Sequence, residues 1–245
     1  MMGRAFEVRK ASMAKTSAAK SKVYAKFGKE IYMAAKTGEP DVEMNVNLKR
    51  IVEKAKSNQV PSDIIKRAID KAKGSSKENY ESILYEGFGA GGSNLMIECL
   101  SDNVNRTISE VRNCFTKTNG KLGVSGALQH LFSHVAMFVF NTCVLEDEIL
   151  EKLMENDLEY IELEVEDEYI TIQCEIVYYN LMRKLIESLR EDIKFEVSEI
   201  LWLPNSYIEL EADDKNKFDK LLEMLNECED VQDIYHNVEN NDENI

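Results

Sequence analysis

The sequence predicts an α+β fold: an N-terminal three-helix bundle followed by two ferredoxin-like α/β domains, one inserted in the other. Three observations support this prediction. The first 77 residues are basic and have helical periodicity, strands and helices alternate after a polar linker at residues 74–79, and the strand–helix order is interrupted and then resumed. The chain has 245 residues, 44% of them hydrophobic, which is enough to bury more than one core.

The first predicted helix is strongly amphipathic. Between residues 15 and 36, positions spaced at 100° place five lysines on one face, opposite an apolar face that includes Phe27 and Ile31. The lysines are Lys15, Lys22, Lys26, Lys29 and Lys36. Gly28 lies inside this helix, where glycine costs about 1 kcal/mol relative to alanine, and we attribute it to close packing.

Two further helices complete the predicted bundle. The second extends over about residues 44–58, and Lys49, Arg50 and Lys54 flank its apolar face. The third begins near Pro61, because proline is well tolerated in the first turn of a helix.

The rest of the chain predicts two α/β domains. Residues 134–203 contain the order βαββαβ, which is the ferredoxin-like split βαβ arrangement. On either side, residues 94–132 and 206–238 each predict a strand–helix–strand half, with strands that include residues 127–132 and 206–210. The domain formed by these two halves is therefore expected to be split by the domain at 134–203. The predicted domains are 1–77 (basic helical), 78–133 with 204–245 (split α/β) and 134–203 (inserted ferredoxin-like).

Charge is unevenly distributed along the chain. The net charge is −15, yet residues 1–77 carry a net +10 and residues 78–245 a net −25. A basic module beside an acidic body is typical of a protein that contacts a polyanion. The alternative is that the lysines form a solvated face, and that the acidic body binds a basic protein partner as an interaction module.

Several classes of protein are excluded by the sequence. No apolar run approaches the roughly 20 residues of a membrane span, and no signal-peptide core is present, so a cytoplasmic location is expected. The five cysteines are widely spaced without a C-x-x-C pair, which predicts buried thiols and no disulfide framework. His130 and His134 are spaced i, i+4 but lack the glutamate of a zincin motif. We therefore expect no metal, no cofactor, no small-molecule substrate and no enzymatic activity.

The glycine-rich stretch Gly87–Gly92 leads into a predicted strand and lacks the Gly-Lys-Ser/Thr ending of a P-loop, so it predicts a hinge or hairpin. Downstream, Arg106 lies at a helix start, where its charge opposes the helix dipole and requires an anionic partner. Asp102 is a candidate partner. Arg106 is therefore either a structural pin or a contact to an RNA backbone, and Lys117 is a further candidate contact.

Several motifs resemble the YebC/PmpR family of gene-expression regulators. They are the runs 85–92 (YEGFGAGG), 102–107 (DNVNRT), 115–120 (FTKTNG), 123–126 (GVSG), 24–31 (YAKFGKEI) and 60–69 (VPSDIIKRAI). Many members open with a basic segment that holds histidine and tryptophan. This chain opens differently, with residues 2–10 reading MGRAFEVRK, and it resembles a divergent subgroup.

The resemblance implies a basic helical domain and two α/β domains, one inserted in the other. It also implies either a DNA-binding transcriptional regulator or a translational activator that acts at the ribosome on ribosomal RNA. Some activators of this family relieve stalling at consecutive prolines. Together with the charge pattern, the resemblance gives one list of expected nucleic-acid-binding residues: Lys15, Lys22, Lys26, Lys29, Lys36, Lys49, Arg50, Lys54, Arg106 and Lys117.

Overall fold

A computed structural model describes residues 20–74, 79–141, 144–166, 169–190 and 193–239. The chain divides into two compact units, one with residues 131–206 and the other with 20–130 and 207–238. The helices in these ranges are α1 (Lys20–Thr37), α2 (Val46–Ser57), α3 (Ser62–Lys73), α4 (Val104–Lys117), α5 (Glu146–Glu155), α6 (Tyr179–Leu189) and α7 (Ala212–Glu227). The strands are β1 (Glu81–Phe88), β2 (Asn94–Ser101), β3 (Lys121–Leu122), β4 (Phe132–Asn141), β5 (Glu162–Glu166), β6 (Tyr169–Glu175), β7 (Phe195–Pro204) and β8 (Val231–His236). The α+β class predicted from the sequence is confirmed.

Helices α1–α3 share one apolar core, in which Ile31, Leu48 and Ala55 are fully buried. The start of α2 is fixed by Asn45, whose side chain accepts a hydrogen bond from the backbone N–H of Leu48 at 3.0 Å. The same side chain donates to the carbonyl of Ala34 at 2.8 Å. One N-cap residue therefore joins the last turn of α1 to the first turn of α2.

The first sheet has the antiparallel order β3-β1-β2-β8 and contains the strands on both sides of the interruption. Strand β1 was not predicted. Residues 127–132, predicted as a strand, contain a 3₁₀ turn instead, because the N–H of buried Leu128 donates to the carboxylate of Glu86 at 2.5 Å and not to a neighbouring strand. Residues 206–210 make only an isolated parallel bridge, between Ile208 and Val238.

The second sheet lies in the unit of residues 131–206 and has the antiparallel order β5-β6-β4-β7. This is the strand order of a ferredoxin-like βαββαβ unit, so the predicted order of strands and helices in this part of the chain is confirmed. Helices α5 and α6 cover one face of the sheet, where Phe138, Phe140 and Ile172 are fully buried against Ile186.

The glycine-rich stretch forms the hairpin turn between β1 and β2. Gly91 and Gly92 have φ angles of 63° and 84°, in the left-handed region that favours glycine. Gly87 lies within β1, and a Cβ at this position would overlap the ring of Phe115. The stretch is thus a close-packed hairpin, one of the two structures that the sequence predicted.

Four cysteines are free: Cys99, Cys114 and Cys174 are buried, and Cys228 is half-buried. Burial raises the pKa of Cys99 and of Cys174 to about 12, so these thiols stay protonated and act as small apolar side chains. Cys143 lies outside the described residues.

Candidate nucleic-acid interface

The surface of α1 and α2 exposes three of the predicted contact residues, Lys22, Lys36 and Lys49. The ammonium group of Lys36 donates to the hydroxyl of Tyr32 at 3.0 Å and lies 5.2 Å from the centre of that ring. Lys49 is 3.6 Å from the carboxylate of Glu43, and both side chains are largely exposed. A pair of this kind contributes little to stability and exchanges easily for a phosphate.

The remaining predicted residues of the bundle differ in exposure. Lys26 and Arg50 are half-buried, and Arg50 donates to the side-chain oxygen of Asn47 at 3.0 Å. Lys117 is exposed in the last turn of α4, where a positive charge suits the helix dipole. Lys15 lies outside the described residues.

Two of the predicted lysines are turned towards acidic residues, one just before β8 and one within it. Lys29 lies 2.8 Å from the carboxylate of Asp230, and Lys54 lies 3.6 Å from that of Asp233. The Lys29 and Lys54 side chains are only 18% and 17% exposed. Both ammonium groups therefore connect the helical bundle to the first sheet, and a phosphate would have to compete with a carboxylate for either of them.

Asp230 is also the partner of Arg106. The guanidinium donates to Asp230 at 2.6 Å and to Asp102 at 2.8 Å. Asp102 is the partner that the sequence predicted, whereas Asp230 is 124 positions away and was missed. Of the two interpretations left open for Arg106, the structure shows the geometry of a pin, which joins the start of α4 to the residue before β8.

The carboxylate of Asp230 is almost completely buried, and its side chain is 1% exposed. Burial raises the pKa of this carboxyl, but hydrogen bonds from Lys29, Arg106 and Thr107 outweigh that effect and lower the pKa to about 2. The hydroxyl of Thr107 donates to it at 2.7 Å. The hydrogen bond to Asp230, with that to Asp102, raises the pKa of Arg106 above its usual value. The Asp230 carboxylate and the Arg106 guanidinium are therefore both charged near neutral pH.

A cleft of about 400 Å³ lies between α1, α3 and the residue that precedes β1. Its lining combines aromatic and basic side chains: Tyr24, Lys29, Tyr32, Arg67, Lys71 and Tyr80. The rings of Tyr32 and Tyr80 meet edge to face with their centres 5.9 Å apart. The ammonium group of Lys71 lies 5.7 Å from the centre of the Tyr32 ring, and that of Lys29 lies 5.8 Å from the centre of the Tyr80 ring. Aromatic rings interleaved with cations are typical of surfaces that bind single-stranded nucleic acid.

Gly28 also lines this cleft, and here the sequence-based interpretation was wrong. A Cβ at Gly28 would meet no atom within 4 Å, so close packing does not explain this glycine. Its effect is to keep the wall of the cleft free of a side chain.

Five of the six aromatic and basic lining residues were not among the predicted site residues, and for four of them, Tyr24, Tyr32, Arg67 and Lys71, the sequence contained a signal. Tyr24, Gly28 and Tyr32 follow one another at intervals of four along α1, and Arg67 and Lys71 do so along α3. Residues spaced by four lie on one face of a helix. The row on α1 lies between the lysine face and the apolar face, which were the two faces considered.

His130 lies in a 3₁₀ turn and His134 in β4, so no helix forms to place them on one face. Among the described residues, no three His, Cys, Asp or Glu side chains are grouped to hold a metal ion. Within the same ranges, every helix is too short or too polar to cross a membrane.

Comparisons with known proteins cover nearly the whole chain. Residues 4–75 match the model of the TACO1/YebC protein N-terminal domain, and residues 80–238 match that of the TACO1/YebC second and third domain. A relative from Alteromonas mediterranea is 51% identical over 236 residues, covering 96% of this chain and 98% of its own. One from Acholeplasma laidlawii is 53% identical over 238 residues, covering 97% and 98%. Both are named probable transcriptional regulatory proteins.

A solved structure has the same fold. The crystal structure of a conserved hypothetical protein from Aquifex aeolicus matches with a TM-score of 0.74 at 33% sequence identity. The match covers 92% of this chain and 93% of that one.

Proposed function

The chain belongs to the TACO1/YebC family, and on this basis we propose that it is a non-enzymatic, cytoplasmic regulator of gene expression that binds nucleic acid through the basic surface of α1–α3. The names of its relatives favour a transcriptional role on DNA. The resemblance of its motifs to a family that includes translational activators favours a role on ribosomal RNA. Lysine and arginine side chains bind the phosphates of DNA and of RNA in the same way. We also propose the three-domain division, with boundaries at residues 77, 133 and 203.

One observation carries this function: basic charge is concentrated on the helical bundle within an acidic protein. Residues 20–74 have a net charge of +6 in a chain of net −15, and Lys22, Lys36 and Lys49 are exposed on α1 and α2. Each lysine that contacts a phosphate releases counterions, which gives sequence-independent affinity. The acidic remainder repels the same polyanion at long range, so weak general affinity is expected.

The test is a salt titration of binding. We expect Lys22→Gln, Lys36→Gln and Lys49→Gln, combined in the full-length chain, to weaken binding to a DNA duplex and to a ribosomal RNA fragment. The slope of log K against log salt should fall in magnitude by roughly 0.7–0.9 for each phosphate that is no longer paired with a lysine. The matched control carries the same three charge changes on the other compact unit, at Lys184 and Lys194, which are exposed, and at Lys152, whose side chain is 44% exposed.

Equal affinity and equal slope for the two triple variants would contradict the proposal. Failure of the wild-type chain to bind either nucleic acid at low salt would favour the alternative, an acidic body that binds a basic protein partner. The probe that binds more tightly identifies the class of target.

A further inference from the structure

We propose that the cleft between α1 and α3 binds a single nucleotide of an unpaired strand, with its base against the rings of Tyr24 and Tyr80 and its phosphate on Arg67 and Lys71. This inference rests on the proposed function and narrows it. The bundle surface attracts phosphates in general, whereas the cleft selects strands whose bases are unstacked.

The first support is the room that the cleft provides. Its volume of about 400 Å³ falls within the roughly 300–1,000 Å³ range of small-molecule sites. Gly28 keeps the cleft open at a position inside α1 where glycine disfavours the helix. No packing contact explains why this residue is glycine, whereas the need to keep the cleft accessible explains it.

The second support is the aromatic lining. Tyr24 and Tyr80 are half-buried, while Tyr32 is 2% exposed and forms a fixed part of the lining. Tyr32 holds its position through its edge-to-face contact with Tyr80 and the hydrogen bond from Lys36. Tyr32 thus holds the ring of Tyr80 in place, and a ring that is already ordered loses little conformational entropy when a base packs on it.

The third support is the placement of the cations. Arg67 and Lys71 are one turn apart on α3, so both face the cleft. The present partner of Arg67 is Asp63, at 3.4 Å, and the two side chains are 80% and 79% exposed. Such a pair is weak, so the guanidinium exchanges it for a phosphate at little cost. Lys29, by contrast, is held by Asp230 and serves mainly to fix the wall of the cleft.

These features favour an unpaired strand over a duplex. In a duplex both faces of each base are covered by its neighbours, and only a splayed-out base presents a face to an aromatic ring. The cleft lining offers rings and positive charge, which every nucleotide can use. We therefore expect a preference for single strands with little dependence on sequence.

The experiment compares four fluorescein-labelled probes by anisotropy with the full-length protein. They are an RNA strand of about 12 nucleotides, the matching DNA strand, the corresponding DNA duplex, and an abasic strand that keeps the phosphates but lacks the bases. The cleft is blocked by Gly28→Leu, which suits a helix better than glycine and whose Cβ meets no other atom. Thr37→Leu, at an exposed position of α1 outside the cleft lining, is the matched control.

Wild-type protein should bind the RNA and DNA single strands about 5- to 100-fold more tightly than the abasic strand, because stacking of one base on an aromatic ring strengthens binding by about this factor. Gly28→Leu should remove this difference and leave affinity for the abasic strand and the duplex unchanged, and Thr37→Leu should behave as wild type. Tyr24→Leu should reduce the difference in part. Tighter binding of the RNA strand than of the DNA strand would indicate an additional contact to the ribose. Equal binding would indicate that contacts to the base and the phosphate account for the affinity.

The inference is overturned if Gly28→Leu leaves single-strand binding intact, or if it weakens all four probes equally. In either case the proposed function survives as long as the wild type binds the duplex or the abasic strand with a steep salt dependence. If the wild type binds no probe at about 50 mM salt, where phosphate contacts are strong, the proposed function and the inference fail together.

Discussion

Replacement of Asp230 by asparagine should destabilise the unit that contains the helical bundle and the first sheet. In the folded chain the Asp230 carboxyl has its pKa lowered from 3.8 to about 2 by Lys29, Arg106 and Thr107, against the opposing effect of burial. One pKa unit corresponds to about 1.4 kcal/mol, so the charged form contributes about 2 kcal/mol to folding at neutral pH. Asparagine resembles the protonated carboxyl in shape and removes this contribution.

The sign of the effect fixes its pH dependence. A carboxyl whose pKa is lower in the folded state stabilises the fold above its unfolded pKa of 3.8, and this stability is lost as pH falls towards about 2. The difference between wild type and Asp230→Asn should therefore be constant from about pH 7 to about pH 5 and shrink below about pH 4.

The assay is urea unfolding followed by far-ultraviolet circular dichroism, with hydrogen exchange of α1 and β8 peptides as a local measurement. Asp102→Asn is the control, because it removes the other carboxylate bound to Arg106. The Asp102 side chain is 53% exposed, and the loss of such a pair costs less than about 1 kcal/mol. Equal stability of the two variants at neutral pH would refute the role assigned to Asp230.

Two further outcomes follow from the structure. Gly87→Ala should destabilise the fold by about 1–3 kcal/mol, because the added methyl group overlaps the buried ring of Phe115. Gly28→Ala should stabilise the fold by about 1 kcal/mol, because alanine favours a helix and its methyl group meets no other atom. Thermal unfolding measures both changes, and stability changes of the same sign would contradict this contrast. Asp233→Asn removes a carboxylate that competes with phosphate for Lys54, so it should steepen the salt dependence of duplex binding by up to roughly 0.9. Asp219→Asn, which removes one negative charge from a half-exposed side chain of α7, should leave the slope unchanged, and identical slopes for the two variants would show that Lys54 reaches no phosphate.

Local periodicity was sufficient to predict most of the fold. The apolar positions of α1, such as Phe27 and Ile31, recur at helical spacing. The inserted βαββαβ unit was predicted because apolar residues recur at helical spacing in its helices and at strand spacing in its strands. Strand β1 was missed because the glycine-rich stretch that begins at Gly87, near the end of the strand, suggests a loop until Phe115 is known to pack against Gly87. Local sequence does not contain that contact.

For the charged residues, the difference between what local sequence predicts and what the tertiary structure decides is larger. Composition indicated a basic bundle and an acidic body, and spacing indicated which lysines of α1 share a face. Only the tertiary structure decided that Lys29 is bound to Asp230, 201 positions away, whereas Lys22 stays exposed. It also brought Tyr80 to the row formed by Tyr24 and Tyr32. Helical periodicity acts over a few residues and can be read along the chain, but ion pairs and clefts depend on which distant segments pack together.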